Sequence, residues 1–173
     1  LSIPIGITVS NQDVSYNLPT LPEESFIDYI RNPRNNIYIN PTYKWIKTHF
    51  GSHAPRYSEL TIGDIQIFGV GFDINPGKFI LSANYGTSQF AIEPDSLTNN
   101  LGAYKQNIIA GRVGFGKIEG SKFILNLVKI KDDLFSVMSS PIGIDPIEGF
   151  AISPLIDLKI AKKISFKTET SLS

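Results

Sequence analysis

The sequence predicts an all-β protein: an antiparallel up-and-down transmembrane β-barrel with about eight strands in this chain, or a segment of a larger barrel. Three observations predict it. Apolar side chains recur at every second position in stretches of about ten residues, the length a tilted strand needs to cross a bilayer. Short turns fall at one end of these stretches and longer loops at the other, as in outer-membrane barrels. Charge is sparse, at 18% of residues, against roughly a quarter in ordinary soluble domains.

The first stretch, Leu1–Ser10, alternates Leu1, Ile3, Ile5, Ile7 and Val9 with small or polar residues, so an extended chain has two unlike faces. Residues 11–41 form the longest connection. Within it, Pro22, Glu23 and Glu24 precede Phe26, Ile27 and Ile30 at helical spacing, which predicts a short helix. Thr42–Phe50 reads as a second strand with mixed faces. Ile62–Ile74 and Phe79–Phe90 follow, joined by Asn75-Pro76-Gly77-Lys78; proline fixes one turn dihedral and glycine supplies a positive one, the signature of a hairpin. Ala103–Gly116 and Lys122–Lys131 flank Lys117–Ser121, and Glu148–Ile160 leads through Ala161–Lys163 into Ile164–Ser173. By strand parity the short turns share one end, and Ala91–Gly102 and Asp132–Ile147 share the other. Parity puts the 11–41 connection at the short-turn end, unless Asn35–Asn40 is a further strand.

With 173 residues the chain is sized for one domain, residues 1–173. Sixteen basic residues balance sixteen acidic ones with no long block of either sign, which argues against a nucleic-acid partner. Without cysteine there is no disulfide, thiolate metal site or cysteine nucleophile. No apolar run is long enough for a membrane-spanning helix, a test to which barrel strands are invisible. The chain starts without methionine inside a strand pattern, and the expectation is a processed protein or an excerpt of a longer one.

Motifs that hint at catalysis weaken on inspection. Gly77-Lys78 lacks both the upstream glycine and the following hydroxyl residue of a phosphate loop, since Phe72 and Phe79 hold those positions. Gly114 and Gly116 lie in an alternating strand that leads to a turn and not to a helix. His49 and His53 lie four apart, a spacing that would hold zinc on a helix, but a third ligand is missing nearby; they read as interface or loop histidines. Asp132 and Asp133 read as a solvated loop start. The expectation is a non-enzymatic protein without cofactor or metal.

The constellation that carries information is distributed. Asp73, Asn84, Arg112, Asp157, Lys159, Lys167 and Glu169 all fall on the polar parity of their strands, where a membrane barrel would turn them into its lumen. The competing reading is the solvated outer face of a soluble barrel. Tyr43 and Trp45 fit an aromatic girdle at headgroup level, and a core position is the alternative.

Asn40–Trp45 (NPTYKW), Gly69–Phe79 (GVGFDINPGKF), Asn84–Gly86 (NYG), Glu93–Asp95 (EPD) and Lys129–Asp133 (KIKDD) resemble, in that order, large and mostly uncharacterised outer-membrane β-barrel proteins of Bacteroidota. The likeness covers most of the chain apart from the Pro22–Ile39 region. It implies an outer-membrane location and strands that form part of a longer barrel; it carries no catalytic or binding residues. Such barrels often end on an aromatic residue, whereas this chain ends on Ser173, which fits an excerpt.

The expected function is therefore passage, secretion or surface assembly through a polar lumen and long surface loops. The partners would be the outer-membrane bilayer and other outer-membrane or surface proteins. The alternative is a soluble eight-stranded lipocalin-like barrel whose apolar parity faces inward around a lipophilic ligand. A barrel with an enzymatic site on its rim ranks below both.

Overall fold

The computed structural model describes residues 1–8, 36–95, 97, 99–161 and 164–173. The short helix expected around Phe26 lies outside the described residues. The described residues form ten strands and one 3₁₀ turn, Leu134–Ser136. The strands are β1 (Ile5–Thr8), β2 (Asn36–Ile39), β3 (Thr42–Tyr43), β4 (Ile46–His53), β5 (Ile67–Ile74), β6 (Phe79–Gln89), β7 (Lys105–Gly116), β8 (Lys122–Asp133), β9 (Glu148–Ala161) and β10 (Ile164–Glu169).

All pair antiparallel in a single sheet of order β1-β2-β4-β5-β6-β7-β8-β9-β10, with β3 beside β4. The expected antiparallel meander is present, but the sheet does not close on itself: β1 and β10 are its two edges.

Two expectations about strands need correction. Thr42–Phe50 is not one strand. It is a hairpin, β3 to β4, turned at Lys44-Trp45 with Lys44 at φ 53°, and this reversal explains its mixed faces. Asn36–Ile39 is a further strand, pairing β1 on one side and β4 on the other. With it counted, the 9–35 connection joins the long loops and the parity conflict disappears. The Asn75–Lys78 hairpin forms as expected, with Gly77 at φ 69°, a conformation that L side chains adopt at a cost of roughly 1–2 kcal/mol.

Register gives the sheet two unlike faces. On one, Ile5, Ile39, Phe50, Val70, Tyr85 and Ile109 are successive cross-strand partners, and the row continues through Lys129 to Phe150. The apolar members of this row are all solvent-exposed; this is the exposed face. Nearer the short turns it continues through Phe79, Phe115 and Phe123, also exposed. Towards the long loops it ends in charge, where Glu148 pairs with Lys129 at 2.9 Å and Lys131 at 3.3 Å.

The opposite face holds the core. The β4–β5 connection folds back onto it, so that Tyr57 and Ile62 pack with Ile67, Ile108, Ala110 and Val128. A second cluster, Ile80, Ile124 and Leu155, lies nearer the short turns. This is the covered face.

Candidate functional site

A polar belt runs between these two apolar clusters. Lys47, Asp73, Ser82, Arg112, Asn126 and Ser153 are successive cross-strand partners from β4 to β9. Alternation alone puts them on the covered face, and matched registers align them. Ser82, Asn126 and Ser153 are almost wholly buried.

Hydrogen bonds knit part of this belt. Arg112 Nη2 donates to Ser82 Oγ at 3.0 Å and lies 3.6 Å from Asp73 Oδ1. Ser153 Oγ donates to Glu169 Oε1 at 2.6 Å. Among the described residues, Arg112 Nε and both amide atoms of Asn126 are buried with no hydrogen-bond partner. Leaving a buried polar group unsatisfied costs about 1–3 kcal/mol.

Towards the long loops stand the two histidines, His49 one row from the belt and His53 two rows beyond it. A strand puts residues i and i+4 on the same face, and the rings of His49 and His53 stack with centroids 5.2 Å apart. His49 Nε2 meets Asp73 Oδ2 at 2.9 Å and its Nδ1 meets Asn40 Oδ1 at 3.1 Å. His53 Nε2 meets Asn84 Oδ1 at 2.9 Å and its Nδ1 meets the Gly51 carbonyl at 3.0 Å. Each ring nitrogen faces an oxygen. A doubly protonated ring satisfies this as it stands, and rotation of the Asn40 or Asn84 amide satisfies a neutral one. Gly71, opposite Asn84, leaves the space its side chain occupies, since a Cβ at that position would overlap Asn84 Oδ1.

The folded-back loop roofs the group. Asn84 Nδ2 donates to Tyr57 Oη at 2.5 Å, and the Arg112 guanidinium lies 4.9 Å from the centre of the Tyr57 ring, within cation–π range. Burial raises the Tyr57 phenol to about 12, against the opposing pull of its Asn84 hydrogen bond and of Arg112. A cavity of about 160 Å³ remains between loop and strands, lined by Lys47, His49, His53, Arg56, Tyr57, Asp73, Asn84 and Arg112.

The residues picked from sequence divide accordingly. Asp73, Asn84 and Arg112 come together in this cluster. Asp157 lies elsewhere on the covered face, 3.7 Å from Lys122 Nζ and opposite Lys167. Lys159 Nζ donates to the Glu119 carbonyl, and Glu169 accepts from Ser153. Tyr43 and Trp45 flank the β3–β4 turn at the short-turn end, half-exposed, with Lys44 Nζ 5.3 Å from the centre of the Tyr43 ring.

His49 and His53, read as loop or interface residues, belong to the covered face; the signal was their even spacing within a strand. Asp132 is not a solvated residue. It is buried, accepting from Gln106 Nε2 at 3.1 Å and from the Ile147 backbone N–H at 2.9 Å, because β8 runs further than its apolar alternation does. Asp133 caps the 3₁₀ turn, accepting from the Phe135 N–H at 3.1 Å. Gly114 and Gly116 lie in β7, which enters a hairpin as expected.

Among the described residues no group of three or more His, Asp or Glu side chains could hold a metal ion. Comparison with protein-family models, curated proteins and solved structures found no match to this chain.

Proposed function

We propose that this chain is an outer-membrane β-barrel, or a segment of one, that serves passage, secretion or surface assembly without catalysing a reaction. One observation carries the reading: the row from Ile5 through Val70 and Ile109 to Phe150 is apolar, in register across the sheet and exposed, with Lys129 its single charged member. A continuous apolar surface on this scale marks contact with a membrane or a partner.

Lipid fits that surface best. Strands β6 to β9 are 11, 12, 12 and 14 residues long, at or above the roughly 9–11 a tilted strand needs to cross the hydrocarbon. Phe79, Phe115 and Phe123, with Tyr43 and Trp45 beside them, form the aromatic rim at one end, and Lys129, Lys131 and Glu148 a charged rim at the other. Backbone edges are not stable in hydrocarbon, so in this reading further strands bridge β1 and β10. The covered face, with its polar belt, would then turn towards the lumen.

The resemblance to Bacteroidota outer-membrane barrels points the same way. A soluble lipocalin-like barrel, by contrast, needs the Val70–Ile109 row inside, where it would hold a lipophilic ligand. The test is fractionation of cells carrying the full-length native protein, followed by gel migration with and without heating. Outer-membrane recovery with heat-modifiable migration is the expected result; a protein that stays in solution without detergent overturns the proposal and favours the lipocalin-like alternative.

A further inference from the structure

We propose that the cavity under the Ala54–Gln66 loop binds a small oxyanion, a carboxylate or phosphate group, held by Arg112 and Lys47. The inference goes beyond the barrel reading and stands whether or not the strands cross a bilayer.

Charge balance is the first argument. Among the described residues Asp73 is the one carboxylate lining the cavity, and it already serves three partners, His49 at 2.9 Å, Arg112 at 3.6 Å and the Ser82 hydroxyl. Lys47 lines the cavity as well and makes no ion pair among the described residues. Arg56 lines it too, its contact with Asp64 long at 3.7 Å and largely exposed. The lining therefore has an excess of positive charge facing a confined space, which favours an anion.

Unspent hydrogen-bonding capacity is the second. A guanidinium has five N–H donors in a planar fork suited to oxyanions. In Arg112, Ser82 and Asp73 both engage Nη2, while Nε is buried without a partner. The Tyr57 ring against the guanidinium fixes its plane. The arrangement is a pre-set donor group, and the cavity has room for several water-sized groups.

The test titrates the full chain with inorganic phosphate and, in a parallel arm at equal ionic strength, with acetate, following the imidazole resonances of His49 and His53 by NMR. The medium is whichever keeps the chain folded, detergent or plain buffer, so failure of the barrel reading does not affect the readout. A saturable shift is expected with at least one anion, and the tighter of the two tells phosphoryl from carboxyl recognition. Arg112→Gln should weaken binding at least about tenfold, the equivalent of a lost charge-assisted hydrogen bond. Lys47→Gln should weaken it by a smaller factor, and Lys117→Gln, in the β7–β8 turn, should leave it unchanged. Shifts that rise linearly with both anions, or saturation at the same concentration in Arg112→Gln, overturn the proposal. If Arg112→Gln does not fold, the exposed Lys47→Gln decides: weaker binding supports the site and unchanged binding overturns it.

Discussion

Ile108 and Ile109 are neighbours in β7 with identical side chains, yet one is 1% exposed and the other 55%. Ile108 points into the covered face, beneath the loop that brings Tyr57 and Ile62. Ile109 sits in the exposed row between Tyr85 and Lys129. The contrast repeats along the sheet, with buried Ile80 beside exposed Phe79 and buried Ile124 beside exposed Phe123. It teaches that apolar character here does not select the inside. The more uniformly apolar face lies outside, while the inside carries the arginine, the histidines and the unsatisfied asparagine.

The sharpest way to test this contrast is to truncate both isoleucines. Ile108→Ala should cost about 2–5 kcal/mol, as for a large-to-small change in a packed core, while Ile109→Ala should stay below about 1 kcal/mol, both read as shifts in the urea midpoint of refolding in detergent. Equal costs would erase the distinction between the faces. Next in size is Leu127→Arg, in the middle of the exposed face, two rows from both Phe123 and Lys131. In a bilayer it should cost roughly 2–4 kcal/mol, measured by refolding into lipid vesicles, whereas on a water-facing surface it should be close to neutral.

Asn126→Leu probes the other face. Its amide has no partner to lose, so a buried leucine of similar size should raise stability by roughly 1–3 kcal/mol, seen as a later denaturation midpoint. A loss of stability would mean the amide is satisfied after all.

Tyr57→Phe should be the mildest, at about 1 kcal/mol for a single hydrogen bond, and its effect depends on pH. Because burial holds the folded phenol at about 12, above its ordinary value of 10, the folded state keeps its proton longer than the unfolded one. That contribution is complete below pH 10 and is lost as the pH rises towards 12. The wild type should therefore weaken over that range, and Tyr57→Phe should weaken less in parallel alkaline unfolding curves.

Much of the two-faced design was legible in sequence. Phe79 to Tyr85 and Ile109 to Phe115 alternate because each strand has one apolar side, and Pro76-Gly77 announces its own turn. Short strands were the weak point. Asn36–Ile39 has too few residues for a period to emerge, and Thr42–Phe50 hid a reversal because Lys44 adopts a positive φ without being glycine. In the site, Asp73, Asn84 and Arg112 were visible as polar-parity residues. Their assembly was not, because it depends on matched registers across β5, β6 and β7. Tyr57 was invisible for another reason: it lies in a connection with no period of its own, and only the tertiary fold brings that connection back across the sheet. The pairing of Asp132 with Gln106 likewise depends on the partner strand, which a local reading of two adjacent acids leaves out.

The connectivity described for the sheet also bears on how it is assembled. From β4 to β10 each strand pairs with its neighbours in sequence, so its contacts are local and the chain closes only small loops as hairpins add one to another, a topology that favours rapid folding. The connection between β1 and β2 is the longest in the chain, and the entropy of closing a loop rises with its length, by about 0.6 kcal/mol per doubling. With four paired positions to offset that entropy, β1 is the strand expected to dock last in refolding and to exchange its amide hydrogens first.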